Sequence, residues 1–538
     1  MVYPEKTKSK VISPIVHLII ITTLTVFLIS TGSFNSLDTL NRLQVTRSLW
    51  TNSPQVVEIN QNTGSPADVT GFSAIGRNGK RYVTWGIGQS LVMLPADIIA
   101  QSLVETLKIQ SQSIDKLVNG IVSYLTFPLI NILAIIVSFQ FLKKLEFNVK
   151  QAVIGSLSLL FCTSFLHYSQ THQENSLDFL MTISGYLFHL LWLTSNSTLY
   201  LCLGIAALGF NVLVRLTLLV NGISVGIFTG IYLYLQTKVK IIDNSSIKQS
   251  LIKYLTFAAI IYGFFLGIDR LYHWMRFDSF SGSYTGIWAE QIKLANPSFP
   301  KSFPFSNPFQ EGLLGFLFSP ERSIFLFNPL ILVTIYLLIK NWKDISYNIR
   351  AFLLSSIFLL IAIMVTYSTW FLWGGGGSWG SRYTTTASQL ISLLAVPLAM
   401  KFNFKSSIEK LCFKAIILIS FFIQISSVIF DFNLELAQGL SLKKTVFVVG
   451  QRFLNIIAVT TGNFDNWGLR PINTSIIESQ RFITISFLPW KNASNFLPAN
   501  LTSVLQIIWI ILLLVLIYTT FSLVKNVSAE QDNLNKLS

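Results

Sequence analysis

Residues 117–141 read LVNGIVSYLTFPLINILAIIVSFQF, twenty-five residues without a single charge, and Leu142-Lys143-Lys144 follows at once. A helix of that length runs roughly 37 Å, more than the ~30 Å hydrocarbon core of a bilayer. The lysine pair at its end reads as a cytoplasmic anchor. Similar apolar blocks lie near 13–32, 151–167, 177–194, 199–214, 217–235, 252–268, 323–340, 350–368, 386–400, 412–431 and 502–524, making twelve with the first. The composition agrees, with 51% hydrophobic and only 12% charged residues in 538, where a soluble domain carries about 25% charged. A cytosolic enzyme, a disordered chain and a secreted disulfide scaffold are excluded. The predicted fold is an all-α polytopic membrane protein of about twelve transmembrane helices, with interfacial helices in its outer loops.

The formal charge of +15 is spread through loops rather than gathered in a stripe, so it points to membrane lipids and not to nucleic acid. Lys143, Lys144 and Lys150 share one short connection, and Lys238, Lys240 and Lys248 another. Lys340, Lys343 and Arg350 form a third group, and Lys401, Lys405 and Lys410 a fourth. With Lys6, Lys8, Lys10 and Lys525, all fall on one face if there are twelve spans, which places both termini in the cytoplasm. The stretch 86–106 would be a thirteenth span. It holds Pro95, Asp97 and Gln101, and counting it reverses the later lysine loops, so it reads as an interfacial or re-entrant helix. Loops 33–116, 269–322 and 369–385 then face outward from a core of residues 1–431. Residues 432–501 form a further outer segment with strand-like runs at 444–449 and 482–487. Residues 502–538 supply the last span and a cytoplasmic tail. Cys162, Cys202 and Cys412 lie in or beside apolar blocks and imply no disulfide framework.

The outer loops hold the polar residues that look purposeful. Asp38 follows the first span by a few residues, where partial desolvation raises a carboxyl toward values suited to a general base; a helix N-cap is the plainer reading. Residues 165–174 pack His167, Tyr168, His172 and Glu174 between two apolar blocks, as polar lining of an outer cavity. Asp178 should face the bundle interior. Asp278 and Tyr284 sit in the loop after Arg276. Trp373 leads into four glycines, then Ser378-Trp379-Gly380-Ser381-Arg382-Tyr383. Arginine beside exposed backbone N–H groups suits a phosphate, and Trp379 and Tyr383 suit a sugar face. Arg215 ends a helix on the outer side, where it snorkels or meets a lipid phosphate. A divalent metal stays open through convergence of Asp38, Glu174 and Asp278, although no ligand spacing demands one.

The arrangement resembles the GT-C glycosyltransferase superfamily, which includes the protein O-mannosyltransferases and the aminoarabinose transferases of lipid A. The resemblance rests on Asp38, on Gly79-Lys80-Arg81-Tyr82 leading to Gly88-Gln89-Ser90-Leu91 and Pro95, and on residues 204–215. Residues 276–286, 319–329 and 373–383 carry the rest of it. It departs where Thr39 follows Asp38, which leaves Glu174 as the second acid by position only. It departs again where Thr84-Trp85-Gly86 replaces a proline-rich step.

What the resemblance implies is a sugar transferred from a polyprenyl phosphate to an acceptor hydroxyl on the outer face of the plasma (inner) membrane, with inversion. Asp38 would be the base, and Arg382, Arg276 and Arg215 would hold the donor phosphate. Tyr82, His167, His172, Asp278, Tyr284, Trp373, Trp379 and Tyr383 would contact substrates. The acceptor would be a glycan, a lipid or a protein. A lipid-linked sugar flippase is the alternative from another class, and a non-catalytic envelope scaffold the third.

Overall fold

The computed structural model describes residues 13–535 except 35, 57–72, 108–113, 239–243, 403, 405, 432–433, 436–437, 440–444, 462–487, 489, 491–492 and 495–497. Helices α1 (Pro14–Ile29) and α2 (Leu37–Ser48) lead to a hairpin of β1 (Ser73–Ile75) and β2 (Arg81–Val83), antiparallel with Ala74 opposite Tyr82. Helices α3 (Gly88–Thr106), α4 (Ile114–Lys144), α5 (Val149–Cys162), α6 (Phe165–Thr171), α7 (Asn175–Ser195) and α8 (Thr198–Val214) follow. Next come α9 (Leu219–Lys238), α10 (Asn244–Phe277), α11 (Tyr284–Ala295), α12 (Phe309–Phe318), α13 (Ile324–Phe327) and α14 (Leu330–Lys340). The chain continues through α15 (Tyr347–Ser368), α16 (Thr385–Leu393), α17 (Ala395–Phe402) and α18 (Ser407–Ile429). It closes with α19 (Val448–Thr461) and α20 (Ala499–Asn535).

Every expected apolar block is helical. Eight helices among the described residues are long and apolar enough to cross a membrane: α4, α7, α9 with its leading turn, α10, α15, the α16–α17 pair, α18 and α20. The pair α5–α6, bent by 60°, makes a ninth. Helices α1, α8 and α14 are apolar but shorter, at 16, 17 and 11 residues. The chain is thus an all-helical polytopic membrane protein. Its enclosed spans are α7 and α16–α17, whereas α10 and α20 bury only 11% of their apolar windows and present the remainder to lipid.

Residues 88–106 form α3, which packs on α2, α4 and α8. It buries Gln89, Ser90 and Asp97. Asp97 accepts from Trp50 Nε1 at 3.0 Å and faces Arg47 Nε at 3.4 Å, which ties α2 to α3. Asp178 faces the interior as expected. Its Oδ1 accepts from Asn221 Nδ2 at 2.6 Å, Asn211 Nδ2 at 3.0 Å and Thr182 Oγ1 at 3.1 Å, and its Oδ2 from Thr386 Oγ1 at 2.5 Å. Four neutral donors from α7, α8, α9 and α16 thereby converge on one buried carboxyl, the arrangement a polar group needs in an apolar bundle.

The strand-like run at 444–449 is corrected. Val448 and Val449 open α19, and Val449 packs with Phe327, Trp379 and Ile423. β-Branched residues give way here because a helix puts one face on that cluster. The run at 482–487 lies outside the described residues.

Helix α19 is seated by Arg452, which is fully buried. It forms a two-pronged pair with Glu435 at 2.7 and 2.6 Å. It also donates to the carbonyls of Ser426 and Phe430, each at 3.1 Å, satisfying the otherwise unpaired C-terminal end of α18. Replacing Arg452 with Met strands Glu435 in the interior, so the thermal midpoint in detergent should fall by the equivalent of about 3 kcal/mol. The double change Arg452→Met, Glu435→Leu should recover much of that loss.

Candidate active site

Asp38 is the second residue of α2, and Ser36 occupies the N-cap position, so the capping explanation for Asp38 does not hold. Arg42 lies one turn later and projects from the same face. Glu174 sits at the head of α7, immediately after a reversal at His172, whose φ of 59° is left-handed. That strained turn is held from outside. The His172 carbonyl accepts from Thr39 Oγ1 at 2.8 Å and Gln89 Nε2 at 3.1 Å. The His172 ring stacks on Phe127 at 4.5 Å, and Nε2 meets Ser123 Oγ at 2.7 Å.

These elements bring five charges together. Arg382 Nη1 lies 2.5 Å from Asp38 Oδ2, Arg42 Nη1 lies 2.7 Å from Glu174 Oε2, and Arg215 Nη2 pairs with Glu174 Oε1. Arg42 is fully buried and Asp38, Glu174 and Arg382 are nearly so. Three guanidiniums against two carboxylates leave one positive charge in excess. Arg215 reaches the group from the end of α8, where Gly86 and Gly88 permit close approach. A Cβ on Gly86 would stand 2.2 Å from the Leu213 carbonyl oxygen, and one on Gly88 2.7 Å from the Val214 nitrogen.

Burial alone would raise the Asp38 carboxyl, but Arg382, Arg42 and Arg215 outweigh it and hold the group below its ordinary value. This corrects the expected upward shift, since desolvation is overcome by three nearby cations. Burial pulls Arg42 down to about 10, which Asp38 opposes and Arg382 reinforces; it stays protonated at neutral pH. For Arg382 burial is likewise unfavourable, yet Asp38 and Tyr383 carry it above its usual range.

The cluster opens into a cavity of ≈ 210 Å³. Arg215, Arg382 and Tyr383 line it together with Trp85, Tyr284, Trp288 and Trp370. Tyr383 stacks on Tyr367 at 3.9 Å with an interplanar angle of 9°. Arg215 lies 5.7 Å and Arg382 5.6 Å from the Tyr383 centroid.

Several expected site residues lie elsewhere. Arg276 is not a phosphate ligand. Its guanidinium donates to Val83 O at 2.5 Å and Trp85 O at 3.3 Å and covers Tyr272 at 3.7 Å, so it staples the hairpin to α10. Trp379 is 1% exposed, edge-on to Phe327 at 5.2 Å with Arg452 5.1 Å from its ring, and it offers no face to a sugar. Trp373 packs edge-on to Phe316 at 5.5 Å and lies over Gly315. Tyr82 packs edge-on to Phe277 at 5.8 Å, and Asp278 pairs with Arg77 at 2.9 Å. His167 is buried beside Tyr168 and Trp379, and His172 serves the turn described above. Asp278 therefore does not converge with Asp38 and Glu174, and no group of three metal-binding side chains forms among the described residues.

The glycine run is also explained differently. Arg322 donates to Gly376 O and Ser378 O, each at 2.6 Å, and to Gly380 O at 3.0 Å. Gly375, Gly376 and Gly380 all have positive φ, so the loop is a turn wrapped around Arg322. That wrapping points Trp379 inward and leaves Arg382 and Tyr383 at the cavity. Arg42 went unassigned from the sequence, although its spacing four residues after Asp38 carried the signal.

No protein-family model matches the chain, and no curated protein matches it. Among solved structures it is similar to ArnT from Cupriavidus metallidurans bound to undecaprenyl phosphate, at 13% identity and a TM-score of 0.41. The match covers 90% of this chain and 75% of that one. At that identity and score it assigns no residue and no activity.

The acid behaviour of the Asp38–Arg382 pair follows from its sign. A carboxyl held below its ordinary 3.8 stabilises the fold at all pH values above that figure, and the contribution fades as pH falls through the lower folded value. Thermal unfolding followed across an acid titration should show wild type losing stability below about pH 4, with that component missing in Asp38→Asn. At neutral pH the variant should be less stable by about 3 kcal/mol, because Arg382 is left buried without its partner.

Proposed function

We propose that this protein is an integral membrane glycosyltransferase that moves a sugar from a polyprenyl phosphate to an acceptor hydroxyl on the outer side of the membrane. The observation that carries the reading is the excess guanidinium charge of Arg42, Arg215 and Arg382 over Asp38 and Glu174, opening on an aromatic cavity among apolar helices. A phosphate monoanion is the ligand that completes such a balance. An oligoisoprenoid tail lies naturally between lipid-facing spans, with its head group at the cavity.

The step balances as a single displacement. The acceptor oxygen attacks the anomeric carbon, the bond from that carbon to the phosphate oxygen breaks, and the phosphate departs with the electron pair. Asp38 takes the acceptor proton, and the configuration inverts. Arg382 serves two partners in turn. Before donor binding it occupies Asp38; the donor phosphate draws it away, which frees the carboxylate and raises its basicity. Arg215 assists at the same phosphate, while Glu174 holds Arg42 and Arg215 in place. Fixed cations aimed at a leaving group that gains charge lower the barrier most.

A flippase for lipid-linked sugars is the second reading, favoured by the 60° break between α5 and α6. The two are separated with purified protein in lipid nanodiscs and a panel of radiolabelled polyprenyl-phosphate sugars. Turnover of one donor is expected, with Arg382→Lys slower by about 10²-fold or more because a point charge does not replace the planar fork. Asp38→Asn should bind donor and release no sugar. In proteoliposomes, movement of sugar-lipid between leaflets without turnover would establish the flippase in its place.

A further inference from the structure

We infer, building on the transferase reading, that the sugar this cavity accepts is electrically neutral and that aminosugars carrying a free ammonium are excluded. The lining supplies the reason. Among the described residues its ionised groups are Arg215 and Arg382, and none of those residues brings a carboxylate to the lining.

An ammonium could instead rest on an aromatic face, but three of the lining rings already stand beside cations. Arg42 stands 5.0 Å from the Trp85 ring, Arg276 4.6 Å and Arg270 5.8 Å from Tyr284, and Arg215 and Arg382 flank Tyr383. Three of the rings lining the cavity are thus paired with guanidiniums before any ligand arrives.

The two acids of the cluster do not help. Glu174 is held by both Arg42 and Arg215. Asp38 is held by Arg382 and is not among the residues that line the space. A neutral sugar meets none of these objections. Its hydroxyls find the hydroxyl-bearing Ser283, Thr285 and Thr366 in the lining, and its C–H faces find Trp288 and Trp370.

The test uses wild-type protein in nanodiscs and three donors on one polyprenyl phosphate: glucosyl, 2-amino-2-deoxyglucosyl and N-acetylglucosaminyl. Each competes against radiolabelled polyprenyl phosphate. Near about pH 6 the amino donor should bind at least about tenfold more weakly than the glucosyl donor, while the N-acetyl donor, bulkier but uncharged, stays within a few-fold. The deficit should close near about pH 9, above the ionisation of an α-amino-type amine. A variant supplies the converse. Thr285 lies in the first turn of α11, where an acid is well tolerated, so Thr285→Asp should raise amino-donor affinity by about tenfold. Equal or tighter binding of the amino donor to wild type at the lower pH would overturn the inference and leave the transferase reading intact. Failure of polyprenyl phosphate itself to bind would remove both.

Discussion

Two carboxylates and three guanidiniums withdrawn from water at the ends of apolar helices are the constraint from which the rest of the architecture follows. Ions in such a place are costly unless each finds an opposite partner in good geometry. Helix α2 carries one of each sign a single turn apart, Asp38 bound to Arg382 and Arg42 bound to Glu174. A rotation of α2 would break both pairs at once. Its surroundings prevent that: Thr46 and Ser90 bond across to α3 and α2, Thr39 bonds to the His172 carbonyl, and Arg47 and Trp50 meet Asp97. The left-handed turn before Glu174 and the close contact at Gly86 belong to the same scheme, since each brings one member of the cluster within reach of the others.

Arginine does four different jobs in this chain, and the partner decides which. Arg322 gathers the carbonyls of a glycine turn, Arg452 closes the end of α18, and Arg276 fastens a hairpin to α10. All three spend their donors on backbone oxygens or on a buried acid. Arg215 and Arg382 alone among these line a space open to a ligand. The planar fork suits every one of these tasks, which is why residue type by itself does not separate a structural arginine from a binding one.

That point marks how far the sequence can be read. Charge is scarce enough in this chain that Asp38, Glu174, Arg215 and Arg382 stood out, and uncharged runs near twenty residues made the helical bundle plain. Arg276 stood out equally and proved structural, because its role depends on the carbonyls of Val83 and Trp85, almost two hundred residues away in sequence. Trp379 and Tyr383 lie four residues apart in one loop, yet one is core and the other cavity wall, a difference set by how Arg322 winds the intervening glycines. Arg452 stood between apolar runs of only four residues, 446–449 and 456–459, too short to mark a span, so nothing local announced that it was fully buried.

The cavity wall includes Trp85, Trp288 and Trp370, three of the chain's twelve tryptophans. Indole emission shifts with the polarity around the ring and weakens when a quenching group approaches. On the proposed reading, a head group entering this space would come against three indoles at once, and Arg382 leaving Asp38 for a phosphate would move beside them. Occupancy of the cavity would then be readable as a change in the native protein's own emission, without any label.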